Sequence, residues 1–134
     1  MSYKILYITP HLSTGGCPQY LLKKIQLLNN DNEVYCIEYN DYGEWFTVQK
    51  NQVRELLKDR YYALKDDKRE VLSLIQKIDP DIVHLEEMPE YFMADFIADE
   101  VYTQNRRYHI VETSHDSSFN PSTKRYFPDK FVFV

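Results

Sequence analysis

Two adjacent glycines, Gly15 and Gly16, lie between an apolar segment and an apparently helical segment near the start of the chain. Glycine lets the backbone turn sharply and come close to a ligand, and the start of a helix carries a partial positive charge. The pair therefore suits an anionic group, above all a phosphate. However, the pattern is neither GxGxxG nor a Walker loop, and Pro18 removes one donor from the helix end. A tight strand-to-helix connection explains the glycines equally well, so both interpretations remain open.

Acidic residues and a histidine follow two later apolar segments. Glu86, Glu87 and Glu90 could form a paired-carboxylate site for acid–base chemistry or for a metal, but such residues more often form the acidic first turn of the next helix. His115, beside Asp116 in ETSHD, could exchange a proton with a substrate oxygen near neutral pH. From spacing alone, an ordinary loop histidine is the better interpretation of His115.

Another histidine and the two cysteines give weaker signals. His84 lies inside DIVHL, and the alternation of that segment predicts a buried structural residue. Cys36 alternates within EVYCIEY as a small buried hydrophobe, whereas Cys17 follows the glycines and could be an exposed thiol. The cysteines form no CxxC pair and have no His-rich neighbourhood, so neither a disulfide framework nor a metal site is predicted.

Strands and helices must alternate to position these residues. Apolar runs predict buried strands at KILYIT, EVYCIEY, DIVHLEE and HIVETSHD, and KFVFV begins another. Helical spacing predicts three helices. The first begins at Pro18, and the other two cover 66–78 and 91–102. Lys23 and Lys24 of the first helix are expected to face water. Shorter strands are predicted over 45–49 and 61–64, and the segment 53–57 between them is either helical or extended.

This alternation predicts an α/β fold, a Rossmann-like three-layer sandwich with a mostly parallel sheet. Ligands of such sheets bind beyond the carboxyl ends of the strands. The polar clusters 11–16, 86–87 and 113–118 all follow predicted strands. We therefore expect them to converge at one edge of the sheet, although their convergence does not by itself name a ligand.

Size and charge limit the classes of function. The chain has 134 residues, 43% of them hydrophobic, which is enough for the core of one domain. Its net charge of -5 argues against nucleic acid as a partner, since such binding depends on Lys and Arg. The apolar run ILYI is too short for a signal-peptide core, and we expect a cytoplasmic location.

Four motifs occur in a familiar order: KILYITPHLSTGG, IDPDIVHLEE, YHIVETSHDSSF and PDKFVFV. This order resembles the N-terminal half of glycosyltransferases with the two-domain B fold, especially the retaining group that includes sucrose and mannosyl transferases. The resemblance covers nearly all of the chain. It implies that residues 1–134 form a single, incomplete, acceptor-side Rossmann-like domain, that the C-terminal donor domain is absent, and that the chain alone is inactive.

The resemblance also implies roles for individual residues. His115 would be the catalytic residue that contacts the transferred sugar, and Gly15 and Gly16 would face the donor diphosphate. The acceptor-binding residues would be His11, Thr14, Gln19, Glu87 and Asp116. A nucleotide sugar would be the donor and a carbohydrate or lipid-linked molecule the acceptor, with retention, no cofactor and no metal. The full-length protein could also contact a membrane peripherally.

Other classes of protein remain open. A free-standing Rossmann-like module that binds a nucleotide or phosphorylated ligand without catalysis would use the same glycine loop. A small flavodoxin-like or receiver-type regulatory domain would need an acidic cluster after the first strand, which ITPHLSTGG lacks. A dinucleotide oxidoreductase lacks its fingerprint, although Glu38 and Asp41 could bind a ribose. Finally, a truncated sheet exposes an apolar edge and an uncovered face, so we expect the chain to self-associate or to be marginally stable.

Overall fold

The computed structural model describes residues 2–13, 16–41, 47–87, 93–115, 122 and 124–134. Within these residues, strands alternate with helices along most of the chain. The strands are β1 (Lys4–Thr9), β2 (Glu33–Glu38), β3 (Tyr61–Ala63), β4 (Ile82–Glu86), β5 (His109–Ser114) and β6 (Lys130–Phe133). The α-helices are α1 (Gly16–Leu28), α2 (Val48–Leu57), α3 (Glu70–Ile78) and α4 (Asp95–Val101).

The described strands form one parallel sheet in the order β3-β2-β1-β4-β5-β6. The chain runs outward from β1 to β3, returns to the middle of the sheet, and runs outward again from β4 to β6. Tyr7 of β1 is therefore paired with Cys36 on one side and with His84 on the other. The predicted α/β, Rossmann-like class with a parallel sheet is confirmed.

Each face of the sheet carries its own apolar core, because side chains alternate along every strand. Leu6 and Ile8 of β1 belong to the cluster that includes the apolar residues of α3 and α4. Ile5 and Tyr7 belong to the cluster formed with α1 and α2. Burial of each large apolar side chain stabilises the fold by about 1.5–3 kcal/mol before the entropy cost of ordering it. The two cores hold the strand ends in fixed positions.

Several element boundaries differ from the prediction. The strand predicted over 45–49 is wrong at its described end, since Val48 and Gln49 begin α2, whose Val53 and Leu57 pack one turn apart into the core. Helix α3 begins at Glu70 rather than at residue 66. There the Asp67 carboxylate accepts the N–H of Arg69 at 3.1 Å, a local turn that competes with helix formation.

The other two predicted helices have their own small differences. Helix α1 begins at Gly16, so that Pro18 lies in its first turn as expected. Helix α4 begins at Asp95, and part of the segment predicted as helix over 91–102 lies outside the described residues. None of the described helices combines the length and the apolar character that a membrane-spanning helix requires.

Candidate functional site

The order of the sheet reverses between β1 and β4, and this reversal defines where a ligand can enter. Chain segments leave the two strands in opposite lateral directions, which opens a crevice at their carboxyl ends. Polar residues follow β1, β4 and β5 at this edge. The described residues of the clusters 11–16, 86–87 and 113–118 therefore lie at one edge of the sheet, as predicted.

Helix α1 begins beside this crevice. Its first residue is Gly16, and a Cβ built on that residue would meet no atom of the described residues within 4 Å. The first turn contains no acidic residue. Within the described part of the chain, the space over Gly16 is thus open, and no carboxylate of its own first turn neutralises the positive end of the 13-residue helix. This helix end can accept an anionic group.

A network of charged and polar side chains lies at the end of β4. The Lys24 ammonium contacts the Glu86 carboxylate at 2.7 Å, and the Glu86 side chain is only 1% exposed. His84 Nε2 lies 2.5 Å from Thr113 Oγ1 and 3.2 Å from Glu86 Oε2, and its ring stacks on Tyr7. The other Glu86 oxygen, Oε1, is buried and has no hydrogen-bond partner among the described residues. The network offers a ligand one unused acceptor.

His84 is neutral in this network. Burial, and then the charge of Lys24, lower its pKa from 6.5 to about 3. Lys24 is therefore the cation that compensates the Glu86 carboxylate at neutral pH. Because that pair has no net charge, it repels a phosphate approaching the start of α1 less than the Glu86 carboxylate alone would.

A second group of side chains brings three metal-binding residue types together. Single donor atoms of Cys17, Glu87 and His115 all lie within 4.8 Å of one another. The N–H of Glu87 donates to Thr113 O at 3.0 Å, and the N–H of His115 donates to the Glu87 carboxylate. The edge of Tyr20 meets the His115 ring at a centroid distance of 4.9 Å. These contacts hold the end of β4 against the end of β5.

The Cys17 thiol is protonated at neutral pH. Burial, and then the charges of Glu87 and Glu86, raise its pKa. A raised pKa means little thiolate, so Cys17 is a poor nucleophile in this environment. The site does not have the features of an activated catalytic cysteine.

A separate buried cluster lies at the end of β2. The Glu38 carboxylate accepts the Leu12 N–H at 2.6 Å and the Tyr61 hydroxyl at 2.6 Å. Lys50 Nζ lies 3.0 Å from Glu38 and 2.6 Å from Asp41. Burial alone would lower the pKa of Lys50, but its hydrogen bonds to Asp41 and Glu38 and their charges raise it. Glu38 is fully buried and occupied by these partners, which does not favour the suggestion that its carboxylate binds a ribose.

The predicted site residues are distributed around the crevice. His11 lies in the loop after β1, where its Nδ1 accepts the Ser13 N–H at 3.2 Å. Gln19 is exposed on α1. Gly16, Glu87 and His115 lie as described above, whereas the predicted residues Thr14, Gly15 and Asp116 lie outside the described residues. The roles predicted for all of them stay predictions.

Several residues of the site were misassigned from sequence. Lys24 was expected to face water, but it contacts the buried Glu86. Glu86 and Glu87 were expected in the first turn of the next helix, whereas Glu86 ends β4 and α4 begins only at Asp95. The available signal was the two-residue spacing of His84 and Glu86, which places both on one face of a strand.

Fold and site together define a Rossmann-like α/β domain with a polar crevice at the reversal of its sheet. No protein-family model matches the chain, and no curated protein sequence matches it. Solved structures do match. One is dTDP-glucose 4,6-dehydratase from Bacillus anthracis str. Ames in complex with NAD, with a TM-score of 0.54 and 12% identity, over 94% of this chain and 44% of that one.

Another similar structure is UDP-glucuronic acid 4-epimerase from Bacillus cereus in complex with NAD. Its TM-score is 0.51 and its identity 16%, over 93% of this chain and 45% of that one. The chain thus spans less than half the length of these two proteins. At such low identity, the likeness shows a shared fold.

These neighbours correct the functional prediction made from the four motifs. By name they are a dehydratase and an epimerase, so the resemblance to B-fold glycosyltransferases, and the transferase activity taken from it, are wrong. The expectation of no cofactor is also overturned, because both neighbours were solved with NAD. The motifs are strand ends and a glycine loop, which unrelated proteins with parallel sheets share. The predicted acceptor and the membrane contact have no support.

Proposed function

We propose that this chain is a Rossmann-like module that binds a nucleotide through its phosphate. The phosphate would lie at the start of α1, in the crevice between β1 and β4. The observation that carries the proposal is that no described residue fills the space over Gly16, at the point where the sheet order reverses. In parallel α/β sheets, ligands occupy this crevice, and helix N-termini there bind phosphate.

Two features of the local charge favour an anionic ligand, although the Glu87 carboxylate lies near Cys17. Glu86 is neutralised by Lys24 at 2.7 Å, and the first turn of α1 has no acid. Both structural neighbours are complexes with NAD, and their names identify nucleotide sugars as the molecules on which they act. Nucleotides and nucleotide sugars are therefore the ligand classes to test.

The end of β2 limits how the ligand is recognised. In many dinucleotide-binding domains, an acid at this position binds the ribose hydroxyl. Here the Glu38 side chain is buried and occupied by Leu12, Tyr61 and Lys50. We therefore expect affinity to depend mainly on the phosphate, and expect NAD to gain nothing from Glu38.

The test is isothermal titration calorimetry in EDTA with NAD, NADH, AMP, UDP, UDP-glucose and inorganic phosphate. We expect saturable binding of at least one nucleotide. The Gly16→Asp variant should lose at least about tenfold in affinity, because its carboxylate occupies the helix end and repels phosphate. The same acid should keep or raise the stability of α1, since it suits the helix dipole by about 0.3–1 kcal/mol.

A matched control is Gln26→Asp, which makes the same charge change at an exposed position of α1. This residue lies about 15 Å along the helix from Gly16, beyond the screening length of about 8 Å at physiological salt. We expect it to bind nucleotides as the wild type does. The proposal is overturned if the wild type binds none of these ligands, or if both variants bind equally well.

A further inference from the structure

Three residue types that bind transition metals converge from distant parts of the chain. Cys17 lies in the first turn of α1, Glu87 follows β4 and His115 follows β5. One donor atom from each lies within 4.8 Å of the other two, and His115 Nε2 is 3.8 Å from Glu87 Oε1. Since neighbouring parallel strands end at the same edge, the fold itself brings these groups together.

The backbone positions Glu87 in an uncommon way. Its φ of 53° is in the left-handed region, which a glutamate rarely adopts. Its N–H donates to Thr113 O at 3.0 Å, which ties this turn to β5. Its carboxylate accepts the N–H of His115. The Glu87 side chain is therefore directed towards His115 rather than into solvent.

The imidazole of His115 has an unused nitrogen. Nε2 is buried and has no hydrogen-bond partner among the described residues. The ring is oriented by the edge of Tyr20. A buried polar atom without a partner is costly, and a bound cation would remove that cost for an imidazole nitrogen.

From these observations we infer that Cys17, Glu87 and His115 bind a transition-metal ion of the Zn²⁺ type. Thiolate, imidazole and carboxylate are its preferred ligands, whereas Mg²⁺ and Ca²⁺ require oxygen ligands. A tetrahedral Zn²⁺ holds its donor atoms about 3.3–3.6 Å apart, given bonds of about 2.0–2.3 Å. Donor atoms up to 4.8 Å apart need to approach one another by at most roughly 1.3 Å to reach that geometry.

Three protein ligands leave one coordination position for water or for an oxygen of another molecule. On binding, the Cys17 thiol proton is released to solvent and the thiolate becomes the ligand. This metal site does not depend on the proposed nucleotide binding. Nucleotide titrations in EDTA and metal titrations without nucleotide test the two proposals separately.

The first experiment titrates the metal-free protein with Co²⁺ and Zn²⁺. A thiolate-to-cobalt charge-transfer band should appear and saturate at one equivalent, and Zn²⁺ should displace it. Cys17→Ser and His115→Gln should each lose at least about 100-fold in Zn²⁺ affinity, since losing even an outer-shell partner commonly costs 10–100-fold. Far-ultraviolet circular dichroism checks that both variants are folded.

The matched control is His109→Gln, which removes a histidine whose side chain is 80% exposed outside this cluster. It should bind Zn²⁺ as tightly as the wild type. The inference is overturned if the wild type takes up no Zn²⁺ at one equivalent. It is equally overturned if His109→Gln weakens binding as much as His115→Gln does.

A second measurement needs no variant. Zn²⁺ should slow the alkylation of Cys17 by iodoacetamide, followed by mass spectrometry of the digested protein. Cys36 is fully buried and serves as the internal reference, because its slow alkylation reports opening of the fold. Equal alkylation of Cys17 with and without Zn²⁺ would contradict a Cys17 ligand.

Discussion

The protonation of His84, in the crevice, makes the stability of the protein depend on pH. Its pKa is about 3 in the folded chain and 6.5 when unperturbed, so the unfolded state takes up a proton at a higher pH than the folded state does. Stability from this residue is therefore present above pH 6.5 and is lost as the pH falls from 6.5 towards 3. The limiting slope is about 1.4 kcal/mol per pH unit.

We predict that lowering the pH from 7.5 to 6.0 costs the wild type about 0.8 kcal/mol more in unfolding free energy than it costs His84→Gln. Urea unfolding of both proteins in EDTA measures this difference. Because acidic groups titrate alike in the two proteins, the comparison isolates His84. The exposed control His109→Gln should lose as much unfolding free energy as the wild type between pH 7.5 and 6.0. If His84→Gln also loses as much as the wild type, His84 is not held neutral in the folded chain.

Lys24 shows why a single residue of the site can be hard to predict. A helical pattern identifies the apolar side of α1, and Lys24 lies next to that side rather than on it. Only the three-dimensional packing of α1 against β1 and β4 places the buried Glu86 within its reach. Cys36, in contrast, was predicted correctly as buried, since alternation along a strand depends on nothing but the strand.

At the scale of elements, Lys50 joins α2 to the end of β2. Its side chain is 3% exposed and contacts Glu38 and Asp41, which are 1% and 8% exposed. Removing one member of a buried ion group leaves an uncompensated charge. This destabilises the fold by more than the whole group contributes to its stability. The cluster therefore fixes where α2 packs.

We predict that Lys50→Met lowers the unfolding free energy by about 3–5 kcal/mol in urea denaturation at neutral pH. Lys23→Met, an exposed lysine of α1, is the matched control and should change it by less than about 0.5 kcal/mol. Adding Glu38→Gln to Lys50→Met should recover part of the loss. A cost below about 1 kcal/mol for Lys50→Met would show that water compensates the two carboxylates.

Element boundaries were predicted well where one pattern dominated. The strands β1, β2, β4 and β5 are short buried runs with β-branched residues, and each was identified. Over 53–57 the sequence left helix and extended structure both open, because α2 is polar and its apolar stripe consists mainly of Val53 and Leu57. Its position depends on Lys50, a contact between residues that no local pattern reveals.

At the scale of the whole molecule, the fold could be predicted from the sequence pattern, whereas the function could not. Alternating strands and helices were enough to predict the parallel α/β sheet. The same alternation could not distinguish a glycosyltransferase half from other Rossmann-like domains, because the layers and the glycine loop are set by packing and turn geometry. The order of the strands in the sheet determines where the crevice lies. It could not be predicted, because the sequence does not show which strands pair.

The prediction of self-association depends on the edge of the sheet. Strand β6 lies at one edge, and Phe133 is 60% exposed there. Unpaired edges with exposed apolar residues favour association with another chain. We predict a concentration-dependent sedimentation coefficient for the wild type and a smaller dependence for Phe133→Lys.

The control for this variant is Leu27→Lys, which makes a similar change at a side chain 75% exposed on α1. It should sediment as the wild type does. A wild type that remains monomeric at all concentrations would contradict the prediction. Equal effects of the two substitutions would point to general solubility rather than to the edge of the sheet.

The hydrogen bond from Leu12 to Glu38 fixes one point of the loop that leads from β1 to α1. A loop held in this way before a ligand arrives has already lost part of its conformational entropy during folding, at the expense of stability. For the nucleotide proposed above, we therefore expect association without a slow ordering step at that point. The buried carboxylate of β2 would then affect the rate of ligand capture, although its own partners lie within the fold.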